Sequence, residues 1–187
     1  MTDKKNENSD EQPHINLPNP FLITIRETYW ASEILPKQLY LGGGSDAANL
    51  KALHEHTVQH ILNVADDVPN YHGPPITYLN LHVADFGRDA GISRVFERAF
   101  AFLSELEKKN LPVLVHCAAG ANRSVTIVIA WLMYSRRWSL LDSFKYVKSK
   151  RRAICPMKDN RLQLLKFERQ LFNNASSFDN ETAFLRM

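Results

Sequence analysis

The stretch LPVLVHCAAGANRS (111–124) decides how the chain is read. LPVLVH is short, almost wholly apolar and rich in valine, the composition of a central strand covered on both faces. Pro112 lies at the strand start, where a missing N–H is tolerated. Cys117 follows, and five residues, Ala118 to Asn122, separate it from Arg123 and Ser124. If the chain then enters a helix near Arg123, the loop's N–H groups gather at a helix N-terminus, which is an anion site. So short an arc wraps one phosphate.

Each residue type suits that chemistry. Gly120 permits a backbone conformation or a close approach that a Cβ would hinder. Ala118, Ala119 and Ala121 leave the rim open, and Asn122 completes the loop. Arg123 supplies a planar, permanently charged fork for two phosphate oxygens. The sulfur of Cys117 would lie below the phosphorus, with the N–H dipoles and Arg123 favouring the nucleophilic thiolate. Ser124 can donate a hydrogen bond to the sulfur as it leaves. Taken singly, a cysteine at a strand end is more often a small core residue. The joint pattern of strand, cysteine, glycine-containing loop, arginine and helix has no packing rationale.

Outward from this loop, strands and helices alternate. Gln38–Leu41 reads as a strand closed by Gly42-Gly43-Gly44, with Ser45 or Asp46 capping a helix over about 46–56. HILNVA (60–65) and ITYLNLHV (76–83) are β-type runs. Ser93 starts a helix to about Lys109, with Val95, Phe96, Ala99, Phe102, Leu103 and Leu106 at helical spacing. The segment 125–137 fits either a strand, by its Val, Thr and Ile content, or a buried helix, by its length. Ser139 or Asp142 opens another helix to about Arg152, ended by Pro156, and a last one covers about 159–172. This alternation implies an α/β fold with a mostly parallel sheet and helices on both faces.

Bulk properties set the frame. The chain has 187 residues, enough for one domain, with 44% hydrophobic and 23% charged residues and a net charge of +3. Residues 1–20 are polar and aperiodic, reading as a disordered arm, and FLITIR (21–26) as a short edge strand. Residues 174–187 read as a polar tail. Two cysteines make no secreted-type disulfide framework. The N-terminus lacks a signal-peptide pattern, and the ten-residue run VTIVIAWLMY is too short to span a bilayer. A cytoplasmic or nuclear protein without membrane attachment is expected. So small a charge does not argue for nucleic acid. His54, His56 and His60 lack the spacing of a zinc site, so no metal or other cofactor is expected. Cys155 reads as structural.

HCAAGANRS resembles the Cys-x5-Arg signature of the protein tyrosine phosphatases, in the small dual-specificity form. EILPKQLYLGG, HILNVADD, ITYLNLHVAD, VLVHC, and WLM followed by a helix ending KSKRRAICP stand in that family's order. The resemblance implies a catalytic domain over about 28–173 with a central sheet of about five strands. It implies hydrolysis of phosphotyrosine and phosphoserine/threonine on phosphorylated proteins, protein kinases among them, through a cysteinyl-phosphate. Asp85 lies 32 residues before Cys117, where such enzymes carry the general acid; Asp89 is the second choice, on a loop with Gly87 and Gly91. His116 resembles the family's histidine that orients the loop.

Two positions depart from the family's pattern. Asn122 stands where serine is usual, and Met157-Lys158-Asp159-Asn160 replaces the usual Asn-x-x-Phe after Pro156. Asn-Arg is also found in related RNA 5′-triphosphatases, which makes that activity one alternative; phosphoinositide hydrolysis and phosphoprotein binding without catalysis are the others. Arg136, Arg137, Lys145, Lys148, Lys150, Arg151 and Arg152 could face a polyanion, but such a set is more often a solvated helix face.

Overall fold

The computed structural model of the protein describes residues 30–85, 91–178 and 181–185. The arm 1–20, the strand expected at 21–26, and Gly87 and Asp89 lie outside them. Five strands form one sheet: β1 (Ser32–Leu35), β2 (Leu39–Gly42), β3 (His60–Ala65), β4 (Thr77–Val83) and β5 (Val113–His116). Their order is β1-β2-β5-β3-β4, with β1 antiparallel to β2 and every other pair parallel. The expected mostly parallel α/β sheet is therefore present. β1 was not legible, because its burial does not alternate cleanly and its pairing with β2 is irregular between Glu33 and Leu35.

Successive strand residues point to opposite faces, and they feed two apolar layers. Leu39, Leu41, Leu62, Val64, Val113 and Val115 join the larger core, while Tyr40, Ile61 and Leu114 join the smaller one with Trp30. This explains the near-continuous apolar composition of β5. The register aligns Gly42 and Asn63 with His116, so β2, β3 and β5 bring their carboxyl ends to one rim. In open α/β sheets, ligands bind at that rim.

The smaller core is closed by α1 (Gly44–Ala48) and α2 (Leu50–Glu55). The single helix expected over 46–56 is thus divided at Asn49. Its side chain accepts from Ala52 N at 3.1 Å and starts the second helix, as a short polar N-cap does. The larger core is covered by α3 (Phe96–Lys108), α4 (Arg123–Arg136), α5 (Leu140–Lys150) and α6 (Lys158–Leu171), with a 3₁₀ turn at Ile92–Val95 before α3. The ambiguous segment 125–137 is α4, buried continuously from Arg123 to Met133. A helix apolar all round belongs inside a fold, and here tertiary burial outweighs the weak helix propensity of Val, Ile and Thr. Ser139 caps α5 by accepting from Asp142 N at 3.1 Å.

The segment read as a polar tail carries α7 (Glu181–Leu185), and Phe184 is fully buried. Phe184 meets Phe144 edge-on with ring centroids 5.4 Å apart, and its carbonyl accepts from Arg161 Nη1 at 2.8 Å. Glu168 ties in the chain before it, accepting from Leu140 N and Ser177 N. One aromatic residue amid polar neighbours gives no periodic signal, which is why this packing escaped the sequence.

Candidate active site

Cys117, buried at the end of β5, begins a loop that closes at the first turn of α4. Every carbonyl of that loop has an outward partner. Ala118 O accepts from Gly44 N at 2.9 Å and Ala121 O from Cys155 N at 2.8 Å. Arg151 donates from Nε to Gly120 O at 2.8 Å and from Nη2 to Ala119 O at 3.3 Å. Asn122 O accepts from Thr126 N and Thr126 Oγ1 inside the helix. Because a trans peptide is planar, an outward carbonyl turns the next residue's N–H the opposite way. The N–H groups of Ala119, Gly120, Ala121 and Asn122 therefore point into the loop. That concavity can hold an oxyanion.

Gly120 has φ of +66°, and a Cβ there would lie 2.5 Å from the carbonyl of Gly42. A Cβ on Gly43 would lie 2.8 Å from Ala118 O. The triple glycine after β2 is therefore more than a turn, since the loop rests on its backbone. Arg151, read as one of a solvated basic set, instead holds two loop carbonyls. Replacing it with methionine should free both peptides and weaken binding of vanadate or tungstate about tenfold, as measured by competitive inhibition. Unchanged inhibition would show that Gly44 and Cys155 suffice.

Arg123 is 1% exposed, and its two edges have different surroundings. Nη1 donates to Asp67 Oδ1 at 2.7 Å, Val83 O at 3.0 Å and Asp66 Oδ1 at 3.3 Å. Nη2 lies 3.4 Å from Asp85 Oδ2, and Nε is buried with no hydrogen-bond partner in the structure. Burial works against the guanidinium charge, but the Asp67 hydrogen bond and the charges of Asp85, Cys117 and Asp67 outweigh it and raise the pKa above its ordinary value. The anchored Nη1 fixes the plane of the fork. The Nε–Nη2 edge is left to face an anion with two parallel N–H groups.

Cys117 Sγ is 3.2 Å from Ser124 Oγ. His116 is fully buried, and its Nδ1 lies 3.3 Å from Cys117 O. A carbonyl only accepts, so Nδ1 carries the hydrogen in this contact. Burial lowers the pKa of His116, although the Cys117 carbonyl and the charge of Asp46 oppose the shift. The ring thus braces the chain where the loop begins, through its contact with the Cys117 carbonyl. The side chain of Asn122 donates from Nδ2 to Asp85 Oδ1 at 2.8 Å. Its Oδ1 accepts from Met157 N and Asn160 Nδ2, both at 2.8 Å.

The structure gathers Cys117, Arg123, Ser124, Asp85, Asn122 and His116 at one rim. It adds Asp66, Asp67, Arg151 and Asn160, none of which sequence reasoning placed there. Asp66 and Asp67 sit in HILNVADD, where an Asp-Asp pair at a strand end signals a turn as readily as an arginine anchor. Chemically, the arrangement brings a cysteine sulfur, a buried guanidinium and a carboxylate to a loop whose inward N–H groups can hold an oxyanion.

The sequence model of the "Dual specificity phosphatase, catalytic domain" family matches residues 39–170. A Rattus norvegicus protein named dual specificity protein phosphatase 7 is 40% identical over 152 residues, covering 80% of this chain and 36% of its own. Dual specificity protein phosphatase 6 of Homo sapiens is 40% identical over 141 residues, covering 74% of this chain and 36% of its own. The chain therefore spans about a third of the length of these curated relatives. Among solved structures, human DUSP28 superimposes with a TM-score of 0.70 at 27% identity, covering 75% of this chain and 94% of that one. The human tyrosine phosphatase-like serine/threonine/tyrosine-interacting protein gives 0.69 at 31% identity, covering 76% and 98%. With the family model covering well over half of its length, the chain belongs to the dual specificity phosphatase family.

Proposed function

We propose that the protein is a protein phosphatase that hydrolyses phosphotyrosine and phosphoserine/threonine through a cysteinyl-phosphate on Cys117. The observation that carries this reading is the divided fork of Arg123. One edge is anchored by Asp67, Asp66 and Val83, and on the other Nη2 lies 3.4 Å from Asp85 Oδ2 while Nε is buried and unpartnered. A buried donor without a partner costs free energy, and a phosphoryl oxygen would satisfy it.

The phosphate monoester enters with its non-bridging oxygens on the loop N–H groups and on Arg123 Nε and Nη2, taking Nη2 from Asp85. The Cys117 thiolate attacks phosphorus, and the S–P bond forms as the P–O bond to the side-chain oxygen breaks. Asp85 gives that oxygen its proton and becomes a carboxylate. A water then attacks the phosphocysteine while Asp85 takes its proton. The S–P bond breaks, and Ser124 Oγ donates to the departing sulfur. Charge on the equatorial oxygens meets fixed donors throughout, usually the largest catalytic contribution. No step calls on a metal.

Asp85→Asn should slow turnover of a phosphopeptide by roughly 10²–10⁴-fold with little change in fold, read by steady-state rates and circular dichroism. A rate equal to that of the native chain would remove Asp85 from the role and turn attention to Asp89. The substrate class is tested by rates on phosphotyrosine and phosphothreonine peptides, triphosphorylated RNA and a phosphoinositide, all with chelator present. Turnover of both peptides supports the reading, and preference for the RNA or the lipid contradicts it. A second reading, phosphoprotein binding without turnover, draws on the likeness to the serine/threonine/tyrosine-interacting protein. The Cys117–Ser124 contact at 3.2 Å favours catalysis.

A further inference from the structure

Asn122 and the segment after Pro156 both depart from the family's usual pattern, and one side chain links them. Asn122 Oδ1 accepts from Met157 N and Asn160 Nδ2, and Asn122 Nδ2 donates to Asp85 Oδ1. The orientation of an asparagine amide is often ambiguous, since its oxygen and nitrogen look alike. Here it is determined, because Met157 N–H is a backbone donor and must face the oxygen. The NH₂ group then has to face Asp85. A serine at this position has a single short hydroxyl, which cannot span from the N-terminus of α6 to Asp85 and also accept two hydrogen bonds.

We infer that the Asn122 side chain, braced by Asn160 and Met157 N–H, is a positioning residue for Asp85. Asn122 holds Oδ1, so Asp85 cannot rotate freely when phosphate takes Arg123 Nη2 from it. Oδ2, the oxygen facing Arg123, is then the one presented to the leaving-group oxygen. The bridge joins the phosphate loop, the segment after β4 and the start of α6 through one amide. A displacement of about 1 Å at a reacting group can cost 10²-fold in rate, so a brace on one carboxylate oxygen has kinetic weight. The Asn160 amide donates to the same Asn122 side chain that reaches Asp85.

This inference rests on the phosphatase reading and on Asp85 as the proton donor, and leaving-group dependence tests it separately. A poor leaving group such as phenolate needs the proton, whereas dinitrophenolate departs with little help. Asn122→Ser is expected to lower kcat/KM, which reports formation of the cysteinyl-phosphate and not its common hydrolysis, about 10- to 100-fold on phenyl phosphate, and about tenfold less than that on dinitrophenyl phosphate. In an Asp85→Asn background, the same substitution should cause little further loss on phenyl phosphate, since coupled residues are not additive. Asn160→Ala, which leaves the loop sequence intact, should shift the ratio in the same direction and serves if Asn122→Ser does not fold. Equal losses on the two esters, or a full additional loss beside Asp85→Asn, would overturn the positioning role. An unchanged ratio in Asn160→Ala would do the same. If the native chain hydrolyses neither ester, the phosphatase reading itself fails and the inference goes with it, a result visible before any variant is made.

Discussion

Cys117→Ser is expected to reduce hydrolysis of an aryl phosphate by on the order of 10⁴-fold or more while the protein still folds and still binds oxyanions. The substitution keeps a small side chain at a buried position, so little packing is lost. What disappears is the proposed nucleophile. A serine hydroxyl needs a base to become reactive, and the hydrogen-bonding partner of the sulfur is Ser124 Oγ, not an imidazole. The nearest histidine, His116, has its Nδ1 at the Cys117 carbonyl and lies buried beneath the loop. Tungstate binding by calorimetry should survive in this variant, because the loop carbonyls are still held by Gly44, Arg151 and Cys155. Retained activity would mean that some other group attacks phosphorus.

Arg123→Lys is the second large effect. Charge is conserved, but a lysine ammonium is a point donor and cannot serve two edges at once. It would settle near Asp67 and Asp66, where the native Nη1 sits at 2.7 and 3.3 Å. The loop would then lose the bidentate Nε–Nη2 edge. Loss of one preorganised donor to a developing charge costs about 10²–10³ in kcat, and two are lost here, so kcat/KM should fall by at least that range. The decisive readout is tungstate affinity, which should weaken in Arg123→Lys and hold in Cys117→Ser. Equal tungstate binding in both would show that the guanidinium acts elsewhere.

The local arrangement of the site was legible in the sequence, and its long-range contacts were not. Cys117, Gly120, Arg123 and Ser124 are neighbours on one short arc, so their spacing alone fixes their relative placement. Asp85 could be singled out only through resemblance to a family, because a carboxylate after a strand has many ordinary roles. The groups that complete the site come from far along the chain. Asp67 reaches Arg123 across 56 residues, Arg151 reaches Gly120 across 31, and Asn160 reaches Asn122 across 38. No periodicity connects such positions; only the parallel sheet does, by aligning Gly42 and Asn63 with His116. The same limit applies to the fold. Alternating strands and helices gave its class, yet α4 was ambiguous because β-branched residues carry opposite signals in isolation and in a core. Phe184 was missed because its partners, Phe144 and Arg161, are set by tertiary packing.

The central claim is that phosphorus passes through the sulfur of Cys117. Its most direct test is to acid-quench the Ser124→Ala variant during turnover of a phosphotyrosine peptide and map the protein by mass spectrometry. Removing the hydroxyl 3.2 Å from the sulfur should slow breakdown of the intermediate more than its formation. A phosphoryl group should therefore accumulate on the peptide containing Cys117. Turnover that continues with no phosphoryl group on Cys117, or with the label on another residue, would contradict the account.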